Sequence, residues 1–229
     1  SVLGPDHLDV AATVYNTGQT HHQMSETDHA MRLYKEFLRI AKARLGADHR
    51  DVSIILKCVA QIYHEKDDYE KATELYKEAL RAAKASLGPN HVEIASTLNK
   101  IGNLHYELGD FDEALEVYKE GLAVERAVLE PDHPNIIVTL TNIGQIYKNN
   151  CDYHLALDMY YETLGIQRRS LGSSHPSVAN TLSSIGLITY QMGNYSRSLD
   201  VYQEVLRIRR DAYSDDNLDV ASALNSIGL

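Results

Sequence analysis

Cysteine is scarce in this chain. Cys58 and Cys151 form no disulfide framework, so nothing points to an oxidising compartment. Long apolar runs are missing: no stretch approaches the roughly 18 consecutive apolar residues of a membrane span. The first residues, Ser-Val-Leu-Gly-Pro, lack both the basic start and the apolar run of a secretion signal, and a cytoplasmic location is expected. A basic surplus is also missing. The formal net charge is −10, which argues against a nucleic-acid partner, whose phosphates call for a basic face, and against an anionic membrane surface. Proline occurs five times, and every copy falls between predicted helices. One sequon, Asn194-Tyr195-Ser196, is present; use as a glycosylation site is not expected, because Tyr195 is placed on a core position of the pattern described next.

The sequence repeats itself. Leu-Gly-x-x-His occurs at Leu3, Leu45, Leu87 and Leu171, with a variant at Leu129-Glu130 and His133 and a decayed copy at Tyr213 with Asn217. These starts are 42 residues apart without exception, and no insertion breaks the register. Each period carries two amphipathic patterns. Val178, Thr181, Leu182, Ile185 and Ile188 follow helical spacing, and after a short polar break such as Leu108-Gly109-Asp110 so do Phe111, Ala114, Leu115, Tyr118 and Leu122.

The punctuation agrees with paired helices. Gly4, Gly46, Gly88 and Gly172 stand where a helix C-terminus needs a left-handed residue. Pro134 and Pro176 suit the first position of the next helix. Asp51, Glu93, Asn135 and Asp219 fall in its first turn, where the helix dipole favours acidic or polar groups.

These residues resemble the tetratricopeptide repeat, whose signature combines Leu-Gly-x2-Tyr in a first helix with Ala-x3-Phe in a second. The fourth copy reads Leu140, Ile143, Gly144, Tyr147, then Ala156 and Tyr160; the third reads Leu98, Ile101, Gly102, His105, then Ala114 and Tyr118. The first copy is the weakest match, with Val14, Thr17, Gly18 and His21. A period of 42 rather than the usual ~34 residues is similar to the kinesin light chain subgroup. The resemblance implies an all-α, right-handed superhelical solenoid of antiparallel helix pairs. Its repeats would run 8–49, 50–91, 92–133, 134–175 and 176–217, with a partial sixth at 218–229, as a single array excerpted from a longer chain.

No motif for covalent chemistry is present. Gly-x-Ser-x-Gly, the P-loop and His-Glu-x-x-His are all missing, so no catalytic residue and no cofactor are expected. The loop histidines cannot share an ion, because successive repeats pack ~10 Å apart whereas zinc takes its ligands at about 2 Å. Asn217 occupies the same slot in the sixth copy, so these histidines are expected to cap the following helix. His21, His22 and His29 cluster in the first copy, but no metal site is expected there. The recurring Tyr34, Tyr76, Tyr118, Tyr160 and Tyr202 are expected in the core.

In the family the resemblance points to, the first helix of each repeat lines a concave groove. Carried over by position, the groove residues are Lys57, Gln61 and His64; Asn99, Lys100, Asn103 and Tyr106; Asn142, Gln145 and Lys148; and Asn180 and Tyr190. With their neighbours at inward positions they carry three lysines and two glutamates, against an acidic whole. Amides on a rigid surface suit a peptide backbone, since they donate and accept, and the lysines favour acidic ligand side chains. The family's clamp for a C-terminal carboxylate is not expected, because Val138 stands at one of its lysine positions. The function implied is a non-catalytic adaptor that binds an extended peptide or partner segment. The alternatives are an architectural subunit acting through its flanks or ends, and the ligand-sensing repeat tail of a larger regulatory protein. Further repeats or a partner are expected to cover the helix at 218–229.

Overall fold

A computed structural model describes residues 8–213 and 217–228, with side chains from residue 13 onward. Gly4, Pro5 and His7 lie outside the described residues. Among those described, the chain is helical, without a strand. The helices are α1 (Leu8–Gln23), α2 (Thr27–Leu45), α3 (Arg50–Glu65), α4 (Tyr69–Leu87), α5 (Val92–Leu108), α6 (Phe111–Val128), α7 (Pro134–Asn149), α8 (Tyr153–Leu171), α9 (Pro176–Gln191), α10 (Tyr195–Ala212) and α11 (Leu218–Ile227). First helices begin at residues 8, 50, 92, 134, 176 and 218, which preserves the 42-residue step.

The chain divides into two compact units, residues 1–128 and 129–229. In the first, α1 pairs with α2, α3 with α4 and α5 with α6, and each pair packs on the next through α2 on α3 and α4 on α5. The second repeats the scheme with α7 and α8, then α9 and α10, and α11 packs on α10.

Capping explains where each helix begins. The Nδ1 atoms of His49, His91, His133 and His175 accept hydrogen bonds from the backbone N–H groups of Asp51, Glu93, Asn135 and Ser177 at 3.1–3.2 Å. Asn217 does the same for Asp219 at 2.7 Å. The loop histidines are therefore helix caps, as their spacing suggested, and each satisfies a donor that the first turn leaves without an intrahelical partner. At the other end, Gly46, Gly88 and Gly172 have φ of +89°, +79° and +88° with ψ near 160°. This is not the compact left-handed helical well expected from the sequence. It is the extended region at positive φ that only glycine enters readily, and it swings the chain out of the helix toward the next cap.

The core repeats with the same period. Tyr34, Tyr76, Tyr118, Tyr160 and Tyr202 are all buried, beside Ala30, Ala72, Ala114, Ala156 and Ser198. Ile55, Leu56, Val59 and Ile62 of α3 pack on Phe37, Ile40 and Ala41 of α2. Each such aliphatic side chain contributes about 1.5–3 kcal/mol through burial. Tyr195 does not belong to this core. It stands ahead of the buried stripe, at the first position of α10, and is 64% exposed against Tyr190.

Charges on the second helices form a ladder. Lys42 bonds Glu78 at 2.7 Å, Lys84 bonds Glu120 at 2.8 Å and Arg168 bonds Glu204 at 2.8 Å, each reaching the equivalent helix of the next repeat. Exposed pairs of this kind contribute about 0–1 kcal/mol each.

Candidate functional site: the first-helix surface

In the first unit a cleft of about 380 Å³ opens over α3. Tyr15, Tyr34 and Tyr76 contribute to its walls, together with Ile54 and Cys58. Lys57, Gln61, Ser96 and Lys100 line it from α3 and α5, and Gln19 and His22 from α1. Three of the residues carried over from the family, Lys57, Gln61 and Lys100, are thus brought together. Cys58 is an interior wall rather than a reactive group: burial pushes its thiol up, against the opposing effects of Tyr15, Lys57 and Tyr34.

In each unit, amides of the first helices are oriented by buried tyrosines, Gln61 and Asn103 in the first unit and Gln145 in the second. Tyr76 donates its hydroxyl hydrogen to Gln61 Oε1 at 3.1 Å. Tyr118 donates to Asn103 Oδ1 at 2.6 Å, and Tyr160 to Gln145 Oε1 at 3.4 Å. At three successive repeats the amide oxygen is therefore turned toward the core. The amide nitrogen faces the other way: Gln61 Nε2 reaches Glu65 at 3.0 Å and Gln145 Nε2 reaches Asn149 at 2.8 Å. An amide nitrogen carries two hydrogens, so each can serve a neighbour and a ligand together.

The lysines are less free than the sequence implied. Lys57 Nζ lies 3.5 Å from Glu93 Oε2, and Arg50 bonds the same carboxylate through Oε1. Burial acts to raise the Glu93 carboxyl, but the Arg50 hydrogen bond and the charges of Lys57 and Arg50 hold it below its ordinary value. Glu93 sits in the first turn of α5, outside the carried-over positions, and it offsets the small positive balance assigned to this face. Lys100 Nζ donates to Gln61 Oε1 at 3.3 Å, which leaves its charge without an acidic partner among these contacts. In the second unit, burial lowers the pKa of Lys148.

Other carried-over residues serve the hairpins themselves. Asn99 donates to the buried Glu125 carboxylate of α6 at 2.9 Å, so it faces its own repeat's second helix. His64, Tyr106 and Tyr190 pack on Tyr69, Phe111 and Tyr195, with ring centroids 5.8, 5.3 and 5.2 Å apart. They brace the turn between the helices of a pair. His64 Nε2 also meets Glu107 at 2.7 Å, and His22 Nε2 meets Glu65 at 2.8 Å. Asn142 and Asn180 lie on α7 and α9, and Tyr190 lines a separate, smaller cavity with Tyr195, Tyr202 and Ile227.

Helical hairpins repeated at a 42-residue step, each second helix burying a small residue and a tyrosine at fixed positions, define a tetratricopeptide-type fold. Profiles described as tetratricopeptide repeat match residues 10–51, 51–127, 93–169 and 136–211, and the chain belongs to that family. Its repeats are kinesin light chain-like in fold. A Podosopora anserina protein described as kinesin light chain with nearly identical TPR-like repeats superposes with a TM-score of 0.76 at 17% identity, covering 91% of this chain and 99% of that one. BtubC (BKLC) from P. vanneervenii gives 0.71 at 19% identity, over 91% and 81% of the two chains. YrrB, a TPR protein with an unusual peptide-binding site, gives 0.62 at 15% identity, over 94% and 92%. No curated protein matches the chain. No helix among the described residues is long and apolar enough to cross a membrane.

Proposed function

We propose that the chain is a non-catalytic adaptor that binds an extended peptide or partner segment along its first helices, centred on the cleft over α3. The observation that carries this reading is the tyrosine-anchored amide of Gln61 in the wall of that cleft. Gln61 is pinned by its oxygen, so its nitrogen is presented in a fixed direction at no further entropic cost on binding. The apolar wall of Tyr15, Tyr34 and Ile54 takes a ligand side chain, and Lys100 at the edge favours an acidic neighbour on the same ligand. YrrB's peptide-binding site on the same fold supports the general mode. The partner is a protein or peptide rather than nucleic acid or membrane, and the setting is cytoplasmic.

Screening the chain against arrays of extended acidic and neutral peptides tests this. Lys57→Glu with Lys100→Glu should abolish capture of the acidic peptides while leaving the helical circular dichroism unchanged, and added salt should weaken the wild-type complex. Normal capture by the double variant would transfer the function to the flanks. Exposed Leu155 and Tyr161 of α8 and Leu199 of α10 favour that second reading, an architectural subunit held by constitutive partners.

A further inference from the structure

The turn between α1 and α2 differs from its counterparts in a way that changes its chemistry. At the residue preceding each second helix, the other repeats place the short side chains Asp68, Asp110, Asp152 and Asn194; the first repeat places Glu26. Asp68 and Asn194 cap their helices through the backbone N–H groups of Lys71 and Arg197. Glu26, one methylene longer, makes no side-chain cap bond, as is also true of Asp152. The Glu26 carboxylate instead lies 2.5 Å from His21 Nδ1 and 4.0 Å from His29 Nδ1. The chain reverses at Ser25, whose φ is +62°, and Glu26 N–H closes on the His21 carbonyl at 2.8 Å. That reversal brings the last turn of α1 over the first turn of α2, with the two imidazole rings stacked at 5.4 Å.

One donor atom from each of His21, Glu26 and His29 falls within 4.8 Å of the others. A tetrahedral ion with ligands at about 2.0–2.1 Å holds its donors about 3.3 Å apart. Small rotations of three partly exposed side chains bridge that difference. At the position of His29 the second repeat has Lys71, whose ammonium sits 2.7 Å from Asp68 and supplies the positive charge itself. The third repeat keeps the first pair, as His105 and Asp110 at 3.5 Å, but has Glu113 at the third position.

We propose that His21, Glu26 and His29 bind a divalent transition-metal ion of the zinc class at the α1–α2 turn. Two imidazole nitrogens and one carboxylate oxygen suit Zn²⁺, Co²⁺ or Ni²⁺ and not Mg²⁺ or Ca²⁺, which take oxygen ligands. The partial exposure of all three leaves the outer coordination position to water. A bound ion ties α1 to α2 in the repeat whose signature is weakest.

Titration of the chelator-treated chain with Zn²⁺ alone, followed calorimetrically, tests this, with Mg²⁺ as the control metal. One Zn²⁺ per chain is expected, together with a rise in melting temperature. His29→Ala and Glu26→Gln should each weaken binding at least about tenfold, the loss that even an outer partner of a ligand causes. His105→Ala, which breaks the two-membered counterpart, should bind as wild type does. His29 is 59% exposed, so the metal-free melt of His29→Ala should match the metal-free wild type. Absence of Zn²⁺ binding, equal affinity in wild type and His29→Ala, or equal loss in His105→Ala would each overturn the assignment.

Discussion

Gly102 links the packing of a repeat to the surface it presents, and replacing it with alanine should destabilise the protein although alanine is the better helix former. Gly102 lies inside α5, and a Cβ built there would stand 2.7 and 2.8 Å from two ring carbons of Tyr118. That ring has little room to retreat, being 2% exposed with its hydroxyl bonded to Asn103 at 2.6 Å. Helix propensity favours alanine over glycine by about 1 kcal/mol. Forcing an extra carbon into a packed core costs about 1–3 kcal/mol. The balance for Gly102→Ala is a loss of about 1 kcal/mol. At Gly144 the same Cβ meets Tyr160 at 3.2 Å, and that tyrosine's hydroxyl bond is 3.4 Å, so Gly144→Ala should be neutral or slightly stabilising.

The second repeat shows that the position is not closed to a methyl group: Ala60 occupies it, fully buried, with Tyr76 also buried. The cost at Gly102 is therefore the cost of moving one ring, and the Tyr118–Asn103 bond should stretch with it. Denaturant unfolding of the three proteins gives the balance, and hydrogen exchange localises it, since repeat arrays lose structure pair by pair. Faster exchange in α5 and α6 of Gly102→Ala is expected. A Gly102→Ala protein more stable than wild type by the full helix propensity would refute the packing argument.

Three further outcomes follow from the contacts. Glu93→Gln should cost about 1 kcal/mol at pH 7, after solvent screening of its partners. Because the folded carboxyl lies below its ordinary value, this stability is present above about pH 4.3 and is lost as pH falls through the folded value, so wild-type and Glu93→Gln melts should converge as the pH is lowered through that range. His91→Ala should cost about 1 kcal/mol of thermal stability, and His91→Asn should recover most of it, because Asn217 performs the same capping in its own repeat. In hydrogen exchange, α11 should open faster than α5 and α7, since its Leu218 and Leu224 stay exposed while only Val220 and Ala223 are buried.

The fold was legible in the sequence because its determinants are local and repeated six times. A histidine two residues before an acceptor-hungry N–H, a glycine after the last apolar residue and a 42-residue step each specify a short piece of backbone, and together they specify all of them. The candidate site was legible only in part, since it depends on what lies beside each position in the neighbouring repeat. Lys57 is assigned to the groove by its position in the repeat, which says nothing of the acids on neighbouring helices. The carboxylate that meets it, Glu93, comes from the first turn of α5, 36 residues on, at a position counted as a helix end rather than as groove. Asn99 is assigned to the groove by its position in the repeat alone. Its partner is Glu125, a fully buried acid in an otherwise apolar stripe, and a buried acid demands a donor. The cluster at the first turn is hard to read from the sequence for a related reason. Eleven histidines make a chance cluster easy, and only the comparison of Glu26 with the shorter caps of the other repeats separates three coincident ligands from three surface residues. The informative residues in such an array are those that break its period: Glu26 where a short cap belongs, Glu125 where the first two repeats carry Ala41 and Ala83, and Ala60 where the other repeats set a glycine against the tyrosine.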